Sequence, residues 1–414
     1  MPDISIRGKL MPNSPIRKLV PLAESAIQRG IRVYRLNIGQ PDIPTSDKAL
    51  EAIRKISARV VDYGHSAGNE SLRRKFADYY KGIDIDVDFK DILITTGASE
   101  AITITLLTCL NAGDEIIVPE PFYANYFSFA TATDVVVVPI TSNIENGFAL
   151  PPISDFEKKI SPRTKAIIIC NPNNPTGYIY SREELEQLRD LVKKHNLFLF
   201  SDEVYRELCY DGYEFTSVMK MEGIDNNVVL IDSVSKRYSA TGLRVGALVS
   251  KNRELLQTAL KFCQARLCPP YLGQIAAEAA IDSTKEYLHG VYSSFLERRN
   301  YAIKELNNIP GVFCPMPKGA FYCMARLPVD DAEKFAMWML EEFEYKKQTV
   351  MLAPASGFYY NTDLGKQEVR IAYVLNINDL KIALTCLKKG LEVYPGRIPV
   401  KKDQKKYITS EAGS

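Results

Sequence analysis

Short apolar runs alternate with longer amphipathic stretches through most of this chain. From residue 91 onward, seven runs rich in β-branched residues recur, with helical stretches between several of them. Short runs that are apolar on both faces are typical of buried strands in parallel sheets. The pattern therefore predicts an α/β fold with a mostly parallel seven-stranded sheet flanked by helices. The predicted strands are 92–95, 115–119, 135–139, 165–170, 197–201, 228–232 and 245–250.

The helix predicted at 181–195 has a clear start. Ser181 and Glu184 have the spacing of a capping box, directly before an apolar periodicity that begins at Leu185. This places the preceding run at 171–177, Asn-Pro-Asn-Asn-Pro-Thr-Gly, in a loop between a strand and a helix. Loops at the carboxyl ends of parallel strands bind ligands in such sheets. Pro, Asn and Gly are also the ordinary residues of turns, so the run alone is interpreted as a tight turn.

Past about residue 285 the pattern changes, and strands mix with helices. A long helical stretch at 286–307 precedes a strand-like pattern at 311–327, which indicates a smaller α+β domain. By fold analogy, the N-terminal segment belongs with this domain. The predicted division is an N-terminal arm and part of the small domain at 1–45, a large domain at 46–285, a C-terminal small domain at 286–395 and a tail at 396–414.

Composition and charge exclude several classes of protein. With 414 residues, 46% of them apolar and 25% charged, the chain has an average globular composition and the length for two cores. Its net charge of +2 gives no field that would attract nucleic acid. Its apolar runs are far shorter than the roughly 20 residues of a membrane helix, and its start lacks a secretory signal pattern. We therefore expect a cytoplasmic protein that binds neither nucleic acid nor membranes.

The cysteines and histidines give no sign of a metal site. Eight cysteines are dispersed along the chain without any Cys-x-x-Cys pair, and several lie in apolar patterns, so we expect reduced core thiols. The three histidines, His65, His195 and His289, are too far apart for a local ligand cluster. The sequence therefore predicts no bound metal.

Lys236 lies in the run Ser-Val-Ser-Lys-Arg at 233–237, shortly after a predicted buried strand. Lysines are ordinarily surface charges, but this one is flanked by small hydroxyl residues at the end of a buried run. Its amine could form a Schiff base with an aldehyde cofactor and then move a proton at a substrate α-carbon. Lys236 is therefore a candidate catalytic residue.

Asp202 and Tyr205 follow another predicted strand, in the run Ser-Asp-Glu-Val-Tyr at 201–205. Asp202 could keep a pyridine nitrogen protonated, so that the ring accepts electrons when a bond at the α-carbon breaks. The structural alternative is a carboxylate that merely caps the end of a strand. Tyr205, and Asn174 from its loop, could donate hydrogen bonds to the phenolate oxygen of such a ring.

A second set of residues could hold a phosphate. Gly97-Ala98-Ser99 lies between a predicted strand and a helix, where backbone N–H groups and the helix dipole favour an anion. Ser233 and Ser235 would add hydroxyls, and Arg244 would add a fixed fork of charge. No Gly-x-Gly-x-x-Gly or Gly-x-x-x-x-Gly-Lys pattern appears, which argues against a dinucleotide or a nucleoside triphosphate.

Tyr123 and Arg370 complete the candidates. Tyr123, in Pro-Glu-Pro-Phe-Tyr at 119–123, could stack on a cofactor ring, although aromatic residues in loops commonly only pack. Arg370 is a cation within the apolar run Glu-Val-Arg-Ile-Ala at 368–372. Strand arginines usually face solvent; the functional alternative is a bidentate clamp on a substrate α-carboxylate. Pyridoxal phosphate requires four things of a protein, which these candidates supply together: an amine, a carboxylate, partners for the phenolate oxygen and a cation for the phosphate.

With these motifs in this order, the chain resembles the fold-type I pyridoxal phosphate enzymes, and within them the class I and II aminotransferases of the aspartate aminotransferase family. The similarity extends from about Asn37 to Glu392. The motifs that carry it are Gly39-Gln40-Pro41-Asp42, the segment from Tyr63 to Gly68, Thr96-Gly97-Ala98-Ser99-Glu100-Ala101, the run at 171–177, Ser201-Asp202-Glu203-Val204-Tyr205, Ser233-Val234-Ser235-Lys236 and Val369-Arg370-Ile371-Ala372.

The resemblance implies that the large domain binds pyridoxal phosphate. Lys236 would carry the cofactor, Asp202 would pair with the ring nitrogen, Asn174 and Tyr205 would bind the phenolic oxygen, and Tyr123 would stack on the ring. The residues implied at the phosphate are Ala98, Ser99, Ser233 and Arg244.

The resemblance also implies how substrate and subunits bind. Arg370 and Asn174, with Gly39 close by, would receive the substrate α-carboxylate. Tyr63 matches a tyrosine that the family sends from one subunit to the phosphate of the other, so a homodimer is implied.

The implied activity is transfer of the amino group of an L-amino acid to a 2-oxo acid such as 2-oxoglutarate by a ping-pong mechanism, and aspartate aminotransferase is one such activity. Some aspartate-specific relatives carry Lys where this chain has Ser99, so the amino donor stays open. The alternative is a C–S lyase or decarboxylase, because the same grip on the cofactor permits cleavage of other α-carbon bonds. A third hypothesis is a non-catalytic regulator, for which the segment at 1–45 is too short to be an added DNA-binding domain.

Overall fold

The computed structural model describes residues 2–399 of the 414-residue chain. Within them the chain divides into two compact units. Unit 1 comprises the residues up to Pro12 together with Gln40–Phe295 and Lys318–Ala320. Unit 2 comprises Asn13–Gly39, Leu296–Pro317 and the chain from Phe321 onward.

The strands of residues 2–399 belong to three sheets. In chain order they are β1 (Arg32–Arg35), β2 (Ile92–Thr95), β3 (Glu115–Glu120), β4 (Val136–Thr141), β5 (Thr164–Cys170), β6 (Phe198–Asp202), β7 (Val228–Ser233), β8 (Gly246–Val249), β9 (Tyr322–Arg326), β10 (Gln348–Met351), β11 (Ala353–Pro354) and β12 (Glu368–Ala372).

The α-helices vary from single turns to a long helix that begins in unit 1 and ends in unit 2. In chain order they are α1 (Ile6–Leu10), α2 (Val20–Gln28), α3 (Asp47–Arg54), α4 (Glu70–Lys81), α5 (Gly97–Cys109), α6 (Asn125–Ala132), α7 (Ile153–Lys159), α8 (Arg182–His195), α9 (Val234–Arg237), α10 (Arg253–Ala265), α11 (Tyr271–Ile281), α12 (Lys285–Asn307), α13 (Ala332–Glu341) and α14 (Ile377–Val393). Across residues 2–399, none of these helices has both the length and the apolar character that a bilayer crossing requires.

Unit 1 is built around a seven-stranded sheet with the strand order β2-β8-β7-β6-β5-β3-β4. Neighbouring strands are parallel except at β8, which runs antiparallel to both β2 and β7. All residues of β2, β3, β7 and β8 are buried, which explains why these runs lack the alternation of a half-exposed strand. The predicted α/β fold with a mostly parallel seven-stranded sheet is confirmed.

Helices pack on this sheet through hydrophobic clusters, two of which lie within residues 2–399 as follows. In one cluster Phe76 of α4 packs with Ile94 of β2, and in the other Leu185 of α8 packs with Ile167 of β5. Phe76 and Leu185 lie on the apolar faces of amphipathic helices, and Ile94 and Ile167 lie on buried strands. The amphipathic stretches between the strands therefore form the outer layers of unit 1.

Helix α8 begins where the sequence predicts. The Ser181 hydroxyl oxygen accepts a hydrogen bond from the Glu184 N–H at 3.1 Å, and the Glu184 carboxylate accepts one from the Ser181 N–H at 2.7 Å. This reciprocal pair is a capping box, which satisfies N–H groups that a helix start leaves without partners. The run at 171–177 is thereby fixed as the loop between β5 and α8.

Unit 2 contains two smaller sheets. β1 pairs with β10 in parallel, and β11, β12 and β9 form an antiparallel sheet in that order. The strand-like pattern at 311–327 is wrong over most of its length, because only β9 is a strand there. Pro315 and Pro317 lack the N–H group that a strand ladder requires, which accounts for the shorter strand.

Candidate active site

The candidate catalytic residues of unit 1 lie at the carboxyl ends of three adjacent strands. β5, β6 and β7 are parallel neighbours, with Cys170 opposite Asp202 and Asp202 opposite Ile231. Backbone hydrogen bonds of 2.9 Å continue past the strand ends, from the Asn171 N–H to the Asp202 carbonyl and from the Glu203 N–H to the Ile231 carbonyl. The strand ends are therefore fixed relative to one another before any side chain contributes.

Lys236 lies on α9, a four-residue helix that begins directly after β7. Ser233 caps this helix, because its hydroxyl oxygen accepts a hydrogen bond from the Ser235 N–H at 3.1 Å. The neighbours of Lys236 in the chain are buried, whereas Lys236 itself is half-buried. Its Nζ lies 6.0 Å from the centroid of the Tyr205 ring. The structure thus brings the candidate amine and the candidate phenol together.

Asp202 is the last residue of β6 and is buried. One carboxylate oxygen accepts a hydrogen bond from the Tyr126 hydroxyl at 3.1 Å, and the other accepts one from the Val204 N–H at 3.4 Å. Burial raises the pKa of Asp202 to about 6, because desolvation disfavours the ionised form more than these two hydrogen bonds favour it. The charge of Asp232 raises this pKa further, and that of Lys236 lowers it.

Tyr126 is a site residue that sequence reasoning missed. Besides donating to Asp202, its ring packs edge-on against Tyr123, with 5.5 Å between the ring centroids. The Tyr123 hydroxyl accepts a hydrogen bond from the Asn125 side-chain amide at 2.9 Å. The signal that could have found Tyr126 is its position three residues after Tyr123 at the start of α6, a spacing that brings two side chains together.

Asn174 and Tyr205 are both buried, with 3% and 4% of their surface exposed. The loop that carries Asn174 is folded on itself, because the Asn173 side-chain oxygen accepts hydrogen bonds from the Thr176 N–H at 3.1 Å and hydroxyl at 2.9 Å. The turn interpretation is therefore right for the backbone. A turn on the surface would expose its polar side chains, and this one buries them at the strand ends.

A cradle for an anion forms where α5 begins. Gly97 has a φ of +77°, and a Cβ there would lie 2.6 Å from the Nη2 of Arg244. The same nitrogen donates to the Thr96 carbonyl at 3.3 Å. A Cβ on Gly246 would lie 2.7 Å from the Ala98 nitrogen, so this approach also requires glycine. The two glycines allow the Arg244 guanidinium to approach the first turn of α5. The guanidinium and the N-terminus of the helix each favour a bound anion.

The serines of the predicted phosphate set lie beside α9. The Ser233 hydroxyl is 2.7 Å from the Ser235 hydroxyl and 3.0 Å from the Val245 carbonyl, next in the chain to Arg244. Ser99 lies in the first turn of α5. Unit 1 therefore offers an amine, a buried carboxylate that a cation would stabilise, and hydroxyls with an arginine for a phosphate. These are the groups that pyridoxal phosphate needs, so the residues fit it.

Tyr63, like Arg244, is an exposed residue of the predicted cofactor set. Tyr63 is 80% exposed, and Val60 and Val61 nearby in the chain are 69% and 60% exposed. Three exposed residues of this size within four positions form an apolar surface of the kind that contacts another protein.

The predicted substrate residues Arg370 and Gly39 belong to unit 2. Arg370 lies on β12 and is 1% exposed, so it does not face solvent. Its guanidinium carbon lies 4.5 Å from the centroid of the Tyr322 ring and 4.8 Å from that of Phe358, and its Nη2 donates to the Asn37 carbonyl at 2.5 Å. Two aromatic rings and a carbonyl fix the plane of this fork.

Gly39 is required by the same packing. A Cβ at position 39 would lie 1.6 Å from the Tyr322 hydroxyl oxygen, so any side chain there would displace the tyrosine that contacts Arg370. Unit 2 therefore brings Gly39, Tyr322 and Arg370 together. Tyr322 is a second residue that sequence reasoning missed, and its place opposite Ala372 on β9 gave no signal in the sequence.

Comparison with known proteins finds similarity along nearly the whole chain. A family model described as aminotransferase class I and II matches residues 31–387. The aspartate aminotransferase of Thermotoga maritima is 33% identical over 389 residues, which are 92% of this chain and 97% of that protein. Two solved structures are also similar. An aspartate aminotransferase from Thermotoga maritima has a TM-score of 0.86 at 31% identity, covering 94% of this chain and 100% of its own. An alanine aminotransferase from Pyrococcus furiosus has a TM-score of 0.85 at 30% identity, covering 94% of this chain and 99% of its own.

Proposed function

Because the chain belongs to the class I and II aminotransferases, a family that uses pyridoxal phosphate, we propose that it transfers the amino group of an L-amino acid to a 2-oxo acid at Lys236. We propose 2-oxoglutarate as the acceptor and a ping-pong order of substrates. The observation that carries the assignment of the site is the placement of Lys236 and Asp202 just beyond and at the ends of adjacent parallel strands.

Pyridoxal phosphate supplies a ring that withdraws electrons when a bond at the substrate α-carbon breaks. Lys236 would hold the cofactor through its amine until the substrate amine displaces it, and the freed Lys236 amine would then move the proton at the substrate α-carbon. Asp202 favours a proton on the ring nitrogen, since a buried carboxylate is stabilised by an adjacent cation. Asn174 and Tyr205 bind the phenolic oxygen, and Tyr123 stacks on the ring.

The phosphate is held by the anion cradle at the start of α5. Gly97, Ala98 and Ser99 provide the helix N-terminus there. Arg244 provides the charge, and the hydroxyls of Ser233 and Ser235 complete the set. The close approach of Arg244 to Gly97 supports this assignment, because a side chain at position 97 would displace the arginine.

Arg370 receives the α-carboxylate of the substrate, with Gly39 as a neighbour. The burial of Arg370 and its fixed plane support this role, because a planar fork binds a carboxylate through two parallel hydrogen bonds. A lysine in its place would carry the charge without this geometry.

Membership of the family does not by itself make aspartate the amino donor. Ser99 provides no cation for a second carboxylate, and similar proteins include an aspartate aminotransferase and an alanine aminotransferase. A panel of L-amino acids, with kcat/KM measured for each against 2-oxoglutarate, identifies the donor. Conversion of a donor into its 2-oxo acid with one glutamate formed per turnover is the expected result. Release of ammonia and pyruvate from a β-substituted amino acid, without any acceptor, would assign the protein to the lyases instead.

We propose that the enzyme is a cytoplasmic homodimer. The exposed group of Val60, Val61 and Tyr63 supports an interface with a second copy, in which Tyr63 reaches the partner's phosphate site. All eight cysteines are free thiols in the structure, which suits a reducing compartment. Sedimentation of the holoenzyme tests whether the protein is a dimer. Tyr63→Phe should weaken cofactor binding and leave the dimer intact.

Borohydride reduction of the holoenzyme followed by peptide mapping tests the central assignment. The cofactor label is expected on Lys236, and Lys236→Ala should lose both the label and the activity. Lys251→Ala is a matched control, since Lys251 in the same unit is a surface residue that pairs with Asp225. A label on any other lysine would overturn the assignment.

A further inference from the structure

Four buried ionisable residues adjoin the candidate active site in the sequence. They are Glu203, Arg206, Asp232 and Arg237, and each side chain is 2% exposed or less. Each follows or precedes a proposed cofactor residue directly; these partners are Asp202, Tyr205, Ser233 and Lys236 respectively. We call these four residues the charge cluster. Because successive residues of a strand point to opposite faces, Asp232 and Ser233 at the end of β7 face away from each other.

Asp232 is the centre of the charge cluster. One of its carboxylate oxygens accepts hydrogen bonds from Arg206 at 2.8 Å, from the Tyr80 hydroxyl at 2.8 Å and from Arg237. The other oxygen accepts the Ser233 N–H at 2.7 Å. Asp232 therefore connects strand β7 to helix α9 and to the segment that follows β6.

Arg206 extends the charge cluster to Glu203, which lies beside Asp202 in the chain. Arg206 donates to the Glu203 carboxylate at 3.4 Å, and the same carboxylate accepts hydrogen bonds from the Ser217 hydroxyl and from the Val218 N–H at 3.1 Å. Both ends of the segment 203–206 are thereby fixed by buried polar contacts. Tyr205 lies within that segment.

Arg237 is the last residue of α9 and is held on two sides. Its guanidinium donates to Asp232, and its guanidinium carbon lies 4.2 Å from the centroid of the Tyr79 ring on α4. A helix of four residues is not stable by itself, since short helices depend on tertiary contacts. The Ser233 cap holds the first turn of α9, and Arg237 holds its end.

We propose that Arg237, acting with Asp232 and Arg206, positions the amine of Lys236 for the reaction. Helix α9 has contacts at both ends, and Lys236 is the half-buried residue between them. The residues of the charge cluster are not among the proposed cofactor or substrate residues, and the cluster acts through the backbone that carries Lys236, Ser233 and Tyr205. This inference rests on the proposed function, in which Lys236 carries the cofactor.

Two substitutions at position 237 test the proposal in the holoenzyme. Arg237→Met removes the charge and should lower kcat per bound cofactor about 10²-fold, the effect of a displacement of about 1 Å at a reacting group. Arg237→Lys keeps the charge but loses the planar fork, and should lower kcat about 10-fold while retaining the fold. KM for the amino donor should change little in either variant, because Arg237 does not contact substrate.

The visible circular dichroism of the bound cofactor is a second readout that does not depend on turnover. A misplaced Lys236 should change its amplitude, and the change should be larger in Arg237→Met than in Arg237→Lys. If Arg237→Met fails to fold, Arg237→Lys alone decides the question. A kcat per bound cofactor and a dichroism spectrum equal to those of the wild type would overturn the proposal.

Glu115→Gln is the matched control for loss of a buried charge in the same sheet. Glu115 begins β3, is 6% exposed, and accepts hydrogen bonds from Ser161 at 2.6 Å and Thr164 at 3.1 Å. It lies at the amino end of the parallel strands, opposite the candidate site, so kcat per bound cofactor should stay at the wild-type value. A wild-type protein that forms no glutamate product would contradict the proposed function. An active wild type with equally active Arg237 variants would contradict only the role of the charge cluster.

Discussion

Two buried aspartates lie near the carboxyl ends of neighbouring strands of unit 1, in opposite electrostatic surroundings. Asp202 accepts hydrogen bonds from the neutral groups of Tyr126 and Val204, and burial raises its pKa to about 6. Asp232 is buried just as deeply, but Arg206 and Arg237 hold its pKa below the usual value. The anionic form of aspartate is thus stabilised at position 232 and destabilised at position 202, at almost the same depth.

The difference separates support from function. The charge of Asp232 is balanced by the protein itself, so its role is complete without any ligand. The ionised form of Asp202 is stabilised when a cation binds beside it. The protonated ring nitrogen of pyridoxal phosphate is such a cation. Strongly perturbed carboxylates in a cleft are candidate functional groups for this reason. The pair therefore predicts opposite responses to the same substitution.

The largest effect on stability is expected for Asp232→Asn. Loss of this carboxylate leaves Arg206 and Arg237 buried without their counter-charge, and breaking a buried ion pair in this way costs about 3 to 5 kcal/mol. Urea unfolding of the apoenzyme measures the change. The control is Asp84→Asn, which removes a surface pair with Lys220 at 4.0 Å and should alter the free energy of unfolding by less than about 1 kcal/mol.

Asp202→Asn should change the stability of the apoenzyme in the opposite direction. The rise of the pKa from 3.8 to about 6 means that the ionised carboxylate disfavours folding at pH 7, by at most about 3 kcal/mol. Asparagine keeps an acceptor for Tyr126 and carries no charge, so we expect a gain of about 2 kcal/mol. The same variant should bind cofactor more weakly and lose most of its kcat. A less stable Asp202→Asn apoenzyme would show that the two aspartates do not differ as described.

The pH dependence of apoenzyme stability separates the two residues in a single titration. The folded pKa of Asp202, about 6, lies above its unfolded value of about 3.9, so its stabilising contribution is complete below about pH 4 and is lost as pH rises through 6. The difference between Asp202→Asn and the wild type should therefore grow between pH 4 and 7 and then level off. Burial also raises the pKa of Glu203, to about 7, but both proteins contain Glu203 and its effect cancels.

Asp232 has the opposite sign in that titration. Its folded pKa is lowered, so its contribution is present above about pH 4 and is lost only as pH falls through the lowered value. Melting temperatures of the two apoenzyme variants and the wild type, measured from pH 4 to 8, should show a nearly constant difference for Asp232→Asn and a growing difference for Asp202→Asn. A difference between Asp202→Asn and the wild type that stays constant over this range would exclude the titration of Asp202 as its cause.

Much of this arrangement can be predicted from sequence. Runs that are apolar on both faces gave the sheet, and the capping box of Ser181 and Glu184 gave the start of α8 and the place of the loop before it. Candidate residues such as Asp202 and Lys236 followed from their position after buried strands. Their assigned roles and the domain boundaries at 45 and 285 stay predictions.

What sequence could not provide is the partner of each buried charge. Arg206 and Arg237 are charged residues beside candidate site residues, and without coordinates a charge is assigned to the surface. Their burial depends on Asp232, which lies 26 residues after Arg206 and five residues before Arg237, and whose side-chain contacts no local pattern shows. For the same reason, the sequence left two interpretations of Arg370 open: a side chain that faces solvent, or one that binds a substrate carboxylate. The contact of Tyr322 with Gly39 depends on strand pairing between distant segments, which no local pattern specifies.

The smallest predicted effects come from the two tyrosines that donate to these aspartates. Tyr126→Phe removes a hydrogen bond that favours ionised Asp202, so the pKa of Asp202 should rise further and cofactor affinity should fall by about 1 kcal/mol. Tyr80→Phe removes the matching bond to Asp232 and should cost about 1 kcal/mol of stability, with cofactor affinity unchanged. Cofactor dissociation constants and urea unfolding of both variants test the contrast. Equal effects of the two substitutions on cofactor affinity would mean that Asp232 is as closely coupled to the cofactor as Asp202, which would remove the distinction between support and function.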